Sequence, residues 1–139
     1  MARSRTAFPD GYRIIDPRDP YEVAAGPFYL PENGDDFHIL LPVEARHCNA
    51  SGVVHGGLLT TLADVTVCAA AIRGADDERA VTVSLTADFV AAGHEGDLLE
   101  ARAEVTRRTG SLAFVRGQVA AGGRILLTCS AVIKRMRRA

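Results

Sequence analysis

The chain of 139 residues contains no tryptophan, and aromatic residues make up only 6% of it. Its interior must therefore be built from aliphatic side chains, and 47% of the residues are hydrophobic. A domain of this size buries about 68–70% of the surface its unfolded chain exposes, so it needs no covalent staples. Cysteines are few: Cys48, Cys68 and Cys129 are odd in number and scattered, with no CxxC pair. That excludes a disulfide framework and a zinc ribbon, and predicts free thiols in a reducing cytoplasm. The four histidines show no HExxH or other ligand spacing, so no metal is expected. Lysine is almost absent, Lys134 being the single one among 16 basic residues. Those 16 stand against 17 acidic residues for a net charge of −1, which argues against a dedicated nucleic-acid binder. No long apolar run exists. The longest stretch free of Asp, Glu, Lys and Arg ends at Ala63 and contains Asn, Ser, Gly and His. It falls short of the roughly 20 mainly apolar residues of a membrane span. The start has two arginines but no apolar segment behind them, so no secretory signal is expected.

What is present reads as one domain over 1–139, with no internal repeat and no low-complexity linker. Residues 1–36 are its irregular part and hold five of the six prolines. Asp19-Pro20 can open a short helix through Ala25, with Asp as N-cap and Pro in the first turn. Phe28 to Leu30 fits a short edge strand, and Phe37 to Val43 a strand. Gly56 to Ile72 is the one long helix. Ala80 to Val90, Leu98 to Arg107, Leu112 to Ala121 and Arg124 to Lys134 read as four strands. Alternation is clearest where Leu99, Ala101, Ala103 and Val105 interleave with Glu100, Arg102, Glu104 and Thr106. Short turns predict that consecutive strands are antiparallel neighbours, and Gly122-Gly123 is a two-residue hairpin signal. The basic tail from Lys134 to Arg138 reads as a frayed, solvated end. Apolar residues surround the helix on all sides, which predicts a helix buried all round. One such helix with at least four strands gives an α+β architecture in which a curved antiparallel sheet wraps a long central helix.

Between Arg46 and Arg73 the only formally charged residue is Asp64, in the middle of that helix. An aspartate there needs a partner, and burial raises its pKa. It is either a carboxylate that only locks packing or a candidate base or nucleophile in a cleft. His55-Gly56-Gly57 stands at the helix start. Free amides there bind anions and polarised carbonyl oxygens, and glycine allows close approach. A tight turn needing glycine for backbone reasons alone is the other reading. Gly56 and Asp64 are eight residues apart, about 12 Å along one helix at 1.5 Å per residue. If both act on one substrate, they belong to two chains. That points to a shared site in a homodimer, or in a homotetramer built from two dimers.

The stretch from Asn49 through Ser51-Gly52 and His55-Gly56-Gly57 to Leu62-Ala63-Asp64 resembles the signature of hotdog-fold acyl-CoA thioesterases of the phenylacetic acid degradation (PaaI-like) type. The likeness runs from about Phe37 to Lys134. It implies the hotdog fold and hydrolysis of an aryl- or medium-chain acyl-CoA to free acid and CoA, in the cytoplasm. CoA would enter as part of the substrate, with no separate cofactor, membrane or nucleic-acid partner. Carried over residue by residue, the Gly56 amide polarises the thioester carbonyl. Asn49 helps hold that carbonyl or the attacking water. Asp64 of the partner chain acts as base or nucleophile, Thr82 orients the water, and His55 shapes the motif. Arg107 and Arg108 can grip the CoA phosphates, or form a solvated strand end. Two rival functions on the same fold are an acyl-thioester hydratase or dehydratase and a non-catalytic acyl-CoA binding module. No GxSxG elbow supports an α/β-hydrolase.

Overall fold

The computed structural model describes Phe8 and residues 10–139. The basic start, read above as no export signal, lies mostly outside the described residues. In chain order the elements are β1 (Tyr12–Ile14), α1 (Pro20–Ala25), β2 (Tyr29–Pro31) and β3 (Ile39–Pro42), then α2 (Gly56–Ala71). Four long strands follow: β4 (Glu78–Phe89), β5 (Leu98–Arg108), β6 (Leu112–Ala121) and β7 (Arg124–Arg137). The segment 12–31 is thus more ordered than its prolines suggest. Asp19 caps α1 as expected, its carboxylate accepting from the Glu22 amide, with Pro20 in the first turn.

All seven strands form one antiparallel sheet in the order β1-β2-β3-β5-β6-β7-β4. It curves around α2, as the sequence predicts. Hairpin neighbours β5–β6 and β6–β7 are also as predicted, and Gly122 and Gly123 sit at φ 56° and 80°, the left-handed pair such a turn requires. The expected β4–β5 neighbourhood is not found. β4 pairs with β7 along its whole length and is an edge of the sheet. The connection from β4 to β5 instead crosses the start of α2, where the Val54 amide donates to Gly93 O and the Val43 amide to Asp97 O.

The tail is not frayed. β7 runs to Arg137 because Glu78, at the start of β4, is its register partner. Arg135 is mostly buried there, 3.2 Å from the Glu78 carboxylate.

Helix α2 starts and stops on local signals. The His55 imidazole Nδ1 accepts from the Gly57 amide at 2.8 Å. At the other end Gly74 takes φ 82°, and Arg108 donates to the carbonyls of Ala71 and Ala70. Leu58, Leu59, Leu62, Ala63, Thr66, Val67, Ala70 and Ala71 are buried against the sheet. Leu62 and Val67 are completely so, each contributing about 1.5–3 kcal/mol. The expectation of all-round burial is corrected on one face. Thr61, Asp64, Val65, Cys68, Ala69 and Ile72 fall at helical spacing and stay half-buried. Only Thr61 and Asp64 on that stripe are polar, too few to mark an open face, which is why composition hid it.

Candidate active site

The half-buried stripe of α2 opens into a cleft of about 860 Å³. Its floor includes Thr61, Asp64 and Cys68, and its opposite wall includes Tyr21 and Glu22 of α1. The wall is anchored in three places. The Tyr21 and Thr61 hydroxyls lie 3.3 Å apart. Arg46 donates to the carbonyls of Ala24 and Gly26. Buried His47 spans the gap through its Nε2, 2.8 Å from Ala25 O, while its Nδ1 accepts from the Glu44 amide. Burial holds the His47 imidazole below its ordinary pKa, in keeping with a neutral ring whose two nitrogens have opposite hydrogen-bonding roles.

The structure brings Asp64 together with Thr82, to which the sequence reading gave only the task of orienting the water. Thr82 comes from β4 and its hydroxyl donates to Asp64 Oδ1 at 2.5 Å. Cys68, one turn beyond Asp64 on α2, places its sulfur 3.2 Å from the same Thr82 oxygen. Burial, the largest cause, pushes the Cys68 thiol up to about 11, so it is not a nucleophile at neutral pH. In the opposite wall, Glu22 is a second unusual group. Burial and then the neighbouring Asp19 carboxylate raise it to about 7, with smaller contributions from Asp16 and Asp64.

Gly56 is the first residue of α2, and no hydrogen bond among the described residues takes its N–H. A Cβ added here would stand 3.3 Å from the Phe89 ring. Gly56 and Asp64 lie eight residues apart on one unbroken helix, and the single chain does not bring them to one reacting centre. Asn49 Oδ1 accepts from the amides of Ser51 and Val53, shaping the loop before the helix, which leaves its NH₂ group for other work. His55 serves as the N-cap described above. Arg107 is exposed at the end of β5, and Arg108 beside it caps α2.

The sequence reading missed Glu22, Tyr21 and Cys68. Asp19-Pro20-Tyr21-Glu22 announces a helix start, but nothing in it says that the helix lies over Asp64. Cys68 carried one usable signal, its i, i+4 spacing from Asp64.

Residues 51–128 match the thioesterase superfamily. A Pseudomonas aeruginosa protein, PA0474, named as an esterase, is 32% identical over 126 residues, spanning 89% of this chain and 94% of that one. Among solved structures, an N33D form of the phenylacetic acid degradation protein PaaI from Thermus thermophilus is 27% identical with a TM-score of 0.73. That match covers 85% of this chain and all of the other. BH2602 of Bacillus halodurans, solved with CoA, is 25% identical with a TM-score of 0.66 over 70% of each chain. The chain belongs to the thioesterase superfamily as a PaaI-like, hotdog-fold thioester hydrolase.

Proposed function

We propose that this hydrolase acts on acyl-CoA thioesters, with an aryl or medium-chain acyl group, in the phenylacetic acid degradation manner and in the cytoplasm. The observation that carries the reading is Asp64. It is the one carboxylate on the half-buried stripe of α2, it faces an open cleft, and it is oriented by a hydroxyl from β4. The CoA held by the Bacillus halodurans relative supports a CoA ester over other thioesters.

The reaction uses two copies of the chain. The unoccupied Gly56 amide at a helix start is a donor for the carbonyl oxygen, where the helix macrodipole favours developing negative charge. The partner subunit's Asp64 then works at the carbonyl carbon. Either it takes the proton of an attacking water, or it adds to the carbon, expels the thiol and leaves a mixed anhydride for water to cleave. Both routes consume one water and release acid and thiol. The β4 edge supports the dimer. It is a 12-residue strand with one free side, and Val83 and Phe89 on it are 60% and 58% exposed. A long apolar edge invites a second strand, and pairing there sets two α2 helices side by side. Two such dimers make the tetramer. The Asn49 NH₂ group remains a donor for carbonyl or water. Arg107 takes the CoA phosphates, with the Arg108 donors beyond those that cap α2.

The test is thiol release from benzoyl-, phenylacetyl- and medium-chain acyl-CoAs, followed with a thiol reagent in wild type and Asp64→Asn. Asn keeps the acceptor for Thr82 but is neither base nor nucleophile. A positioned acid–base group contributes about 10²–10⁴-fold, so kcat falls by at least about 100-fold with the fold intact. A folded Asp64→Asn protein with wild-type kcat overturns the assignment.

A further inference from the structure

We propose that Cys68 is a positioning residue of the active site, whose thiol proton occupies the acceptor side of the Thr82 hydroxyl and so commits the single Thr82 proton to Asp64. The proposal rests on the reading of Asp64 as the catalytic carboxylate.

Three atoms from two elements carry it. Asp64 and Cys68 are four residues apart on α2 and share its uncovered face. Thr82 reaches both from β4. Its oxygen is 2.5 Å from Asp64 Oδ1 and 3.2 Å from the Cys68 sulfur, while that sulfur is 4.0 Å from Asp64 Oδ1. A threonine hydroxyl has one proton and two lone pairs, and an ionised carboxylate only accepts. The proton between Thr82 and Asp64 must therefore come from Thr82. None is left for the sulfur, so in that contact the thiol donates, and of the two acceptors within its reach, Thr82 Oγ1 at 3.2 Å and Asp64 Oδ1 at 4.0 Å, its single proton goes to the nearer. Burial keeps the thiol protonated across the neutral range, which makes it a dependable donor. The direction of the relay is thus fixed: Cys68 Sγ–H to Thr82 Oγ1–H to Asp64 Oδ1.

The relay has a consequence for chemistry. Without the thiol, the Thr82 hydroxyl has an open acceptor side in a cleft reached by water. It can then rotate and spend its proton elsewhere, and Asp64 loses an aligned donor for part of the time. With the thiol in place, Oδ1 is held and Oδ2 is the oxygen left for water or substrate. Position 68 also stands among Ala69, Ala70 and Ala71, where alanine is the better helix former. The sulfur therefore adds little that the helix itself requires.

The experiment measures kcat, KM and melting temperature for wild type, Cys68→Ala, Cys68→Ser and Asp64→Asn, and for Cys68→Ala in a Thr82→Val background. A weak S–H donor predicts a fall in kcat of roughly 3–10-fold in Cys68→Ala, with KM within about 2-fold of wild type. Cys68→Ser restores a donor and recovers kcat to within about 2-fold. In the Thr82→Val background the Cys68→Ala change has no further effect, because its target is gone. If Cys68→Ala does not fold, Cys68→Val, one heavy atom larger than cysteine and without the donor, takes its place. Wild-type kcat in the donor-less variant overturns the proposal, as does equal loss in the Ser and donor-less variants, or a full Cys68 effect without Thr82. An inactive Asp64→Asn with a neutral Cys68→Ala sinks only the relay. An active, folded Asp64→Asn sinks the reading of Asp64 beneath it.

Discussion

Glu22→Gln is the change that most directly probes the wall opposite Asp64. In the native protein Glu22 loses water to α1 and the cleft, and faces the carboxylates of Asp19, Asp16 and Asp64, which together lift it from an ordinary 4.5 to about 7. Between these two values the folded protein holds a proton that the unfolded chain has released. Stability must then fall as pH rises through that window, since the folded state binds more protons than the unfolded one. The full shift corresponds to about 3 kcal/mol at 1.36 kcal/mol for each pKa unit. Glu22 is only half-buried, so screening by solvent reduces this to about 1 kcal/mol. Gln has the shape and donor capacity of the neutral acid and no proton to lose. For a chain of this size about 1 kcal/mol is about 3 °C in Tm. The assay is thermal melting from pH 4.5 to 8.5 in parallel for both proteins. Near pH 4.5 the curves coincide, and above pH 7 the variant melts about 3 °C higher. Parallel curves, or a variant that loses ground at high pH, refute a carboxyl kept neutral by its neighbours.

Four further outcomes follow from particular residues. Val83→Lys puts a charge on the open edge of β4 and, if that edge carries the dimer, gives a folded monomer by light scattering with kcat down by at least about 100-fold. A monomer at full activity removes the shared site. Arg107→Ala raises KM for acyl-CoA several-fold and leaves kcat and Tm unchanged. Arg108→Ala adds a stability loss of about 1 kcal/mol in urea melts, because it removes the side-chain donor to the Ala71 carbonyl at the end of α2. Gly117→Ala costs about 1–3 kcal/mol by overpacking, since its Cβ would meet Cys129 Sγ at 3.0 Å and the Arg102 carbonyl at 3.2 Å. Gly110→Ala, with nothing within 4 Å of its Cβ, serves as the neutral comparison in the same melts.

The elements that the sequence announced are those whose signals are local. Alternation from Leu98 onward, the left-handed Gly122-Gly123 turn and the single acid in an apolar helix each need only a dozen residues to be read. Pairing is a different kind of information. The edge β4 carries an alternating pattern that fits β5 as well as β7. What decides is the crossing of residues 90–97 over the start of α2, held by Val54 to Gly93 and Val43 to Asp97, and no short window contains both ends of those bonds. The basic tail misleads for the same reason. Arg135 looks like a solvated charge until Glu78, 57 residues away, is placed beside it. The candidate site divides along this line too. Asn49, His55, Gly56 and Asp64 lie within 16 residues, so their types and spacing could be read together. Even so, the local backbone takes Asn49 Oδ1 and His55 Nδ1 as acceptors, which a residue list cannot reveal. Thr82 reaches Asp64 from β4, Glu22 lines the same cleft from α1, and Cys68 meets Thr82 only where α2 and β4 are packed together. A charge pattern can mark where a carboxylate sits in a helix. Which protons face it is settled by elements far away in the chain, and those protons decide what it can do.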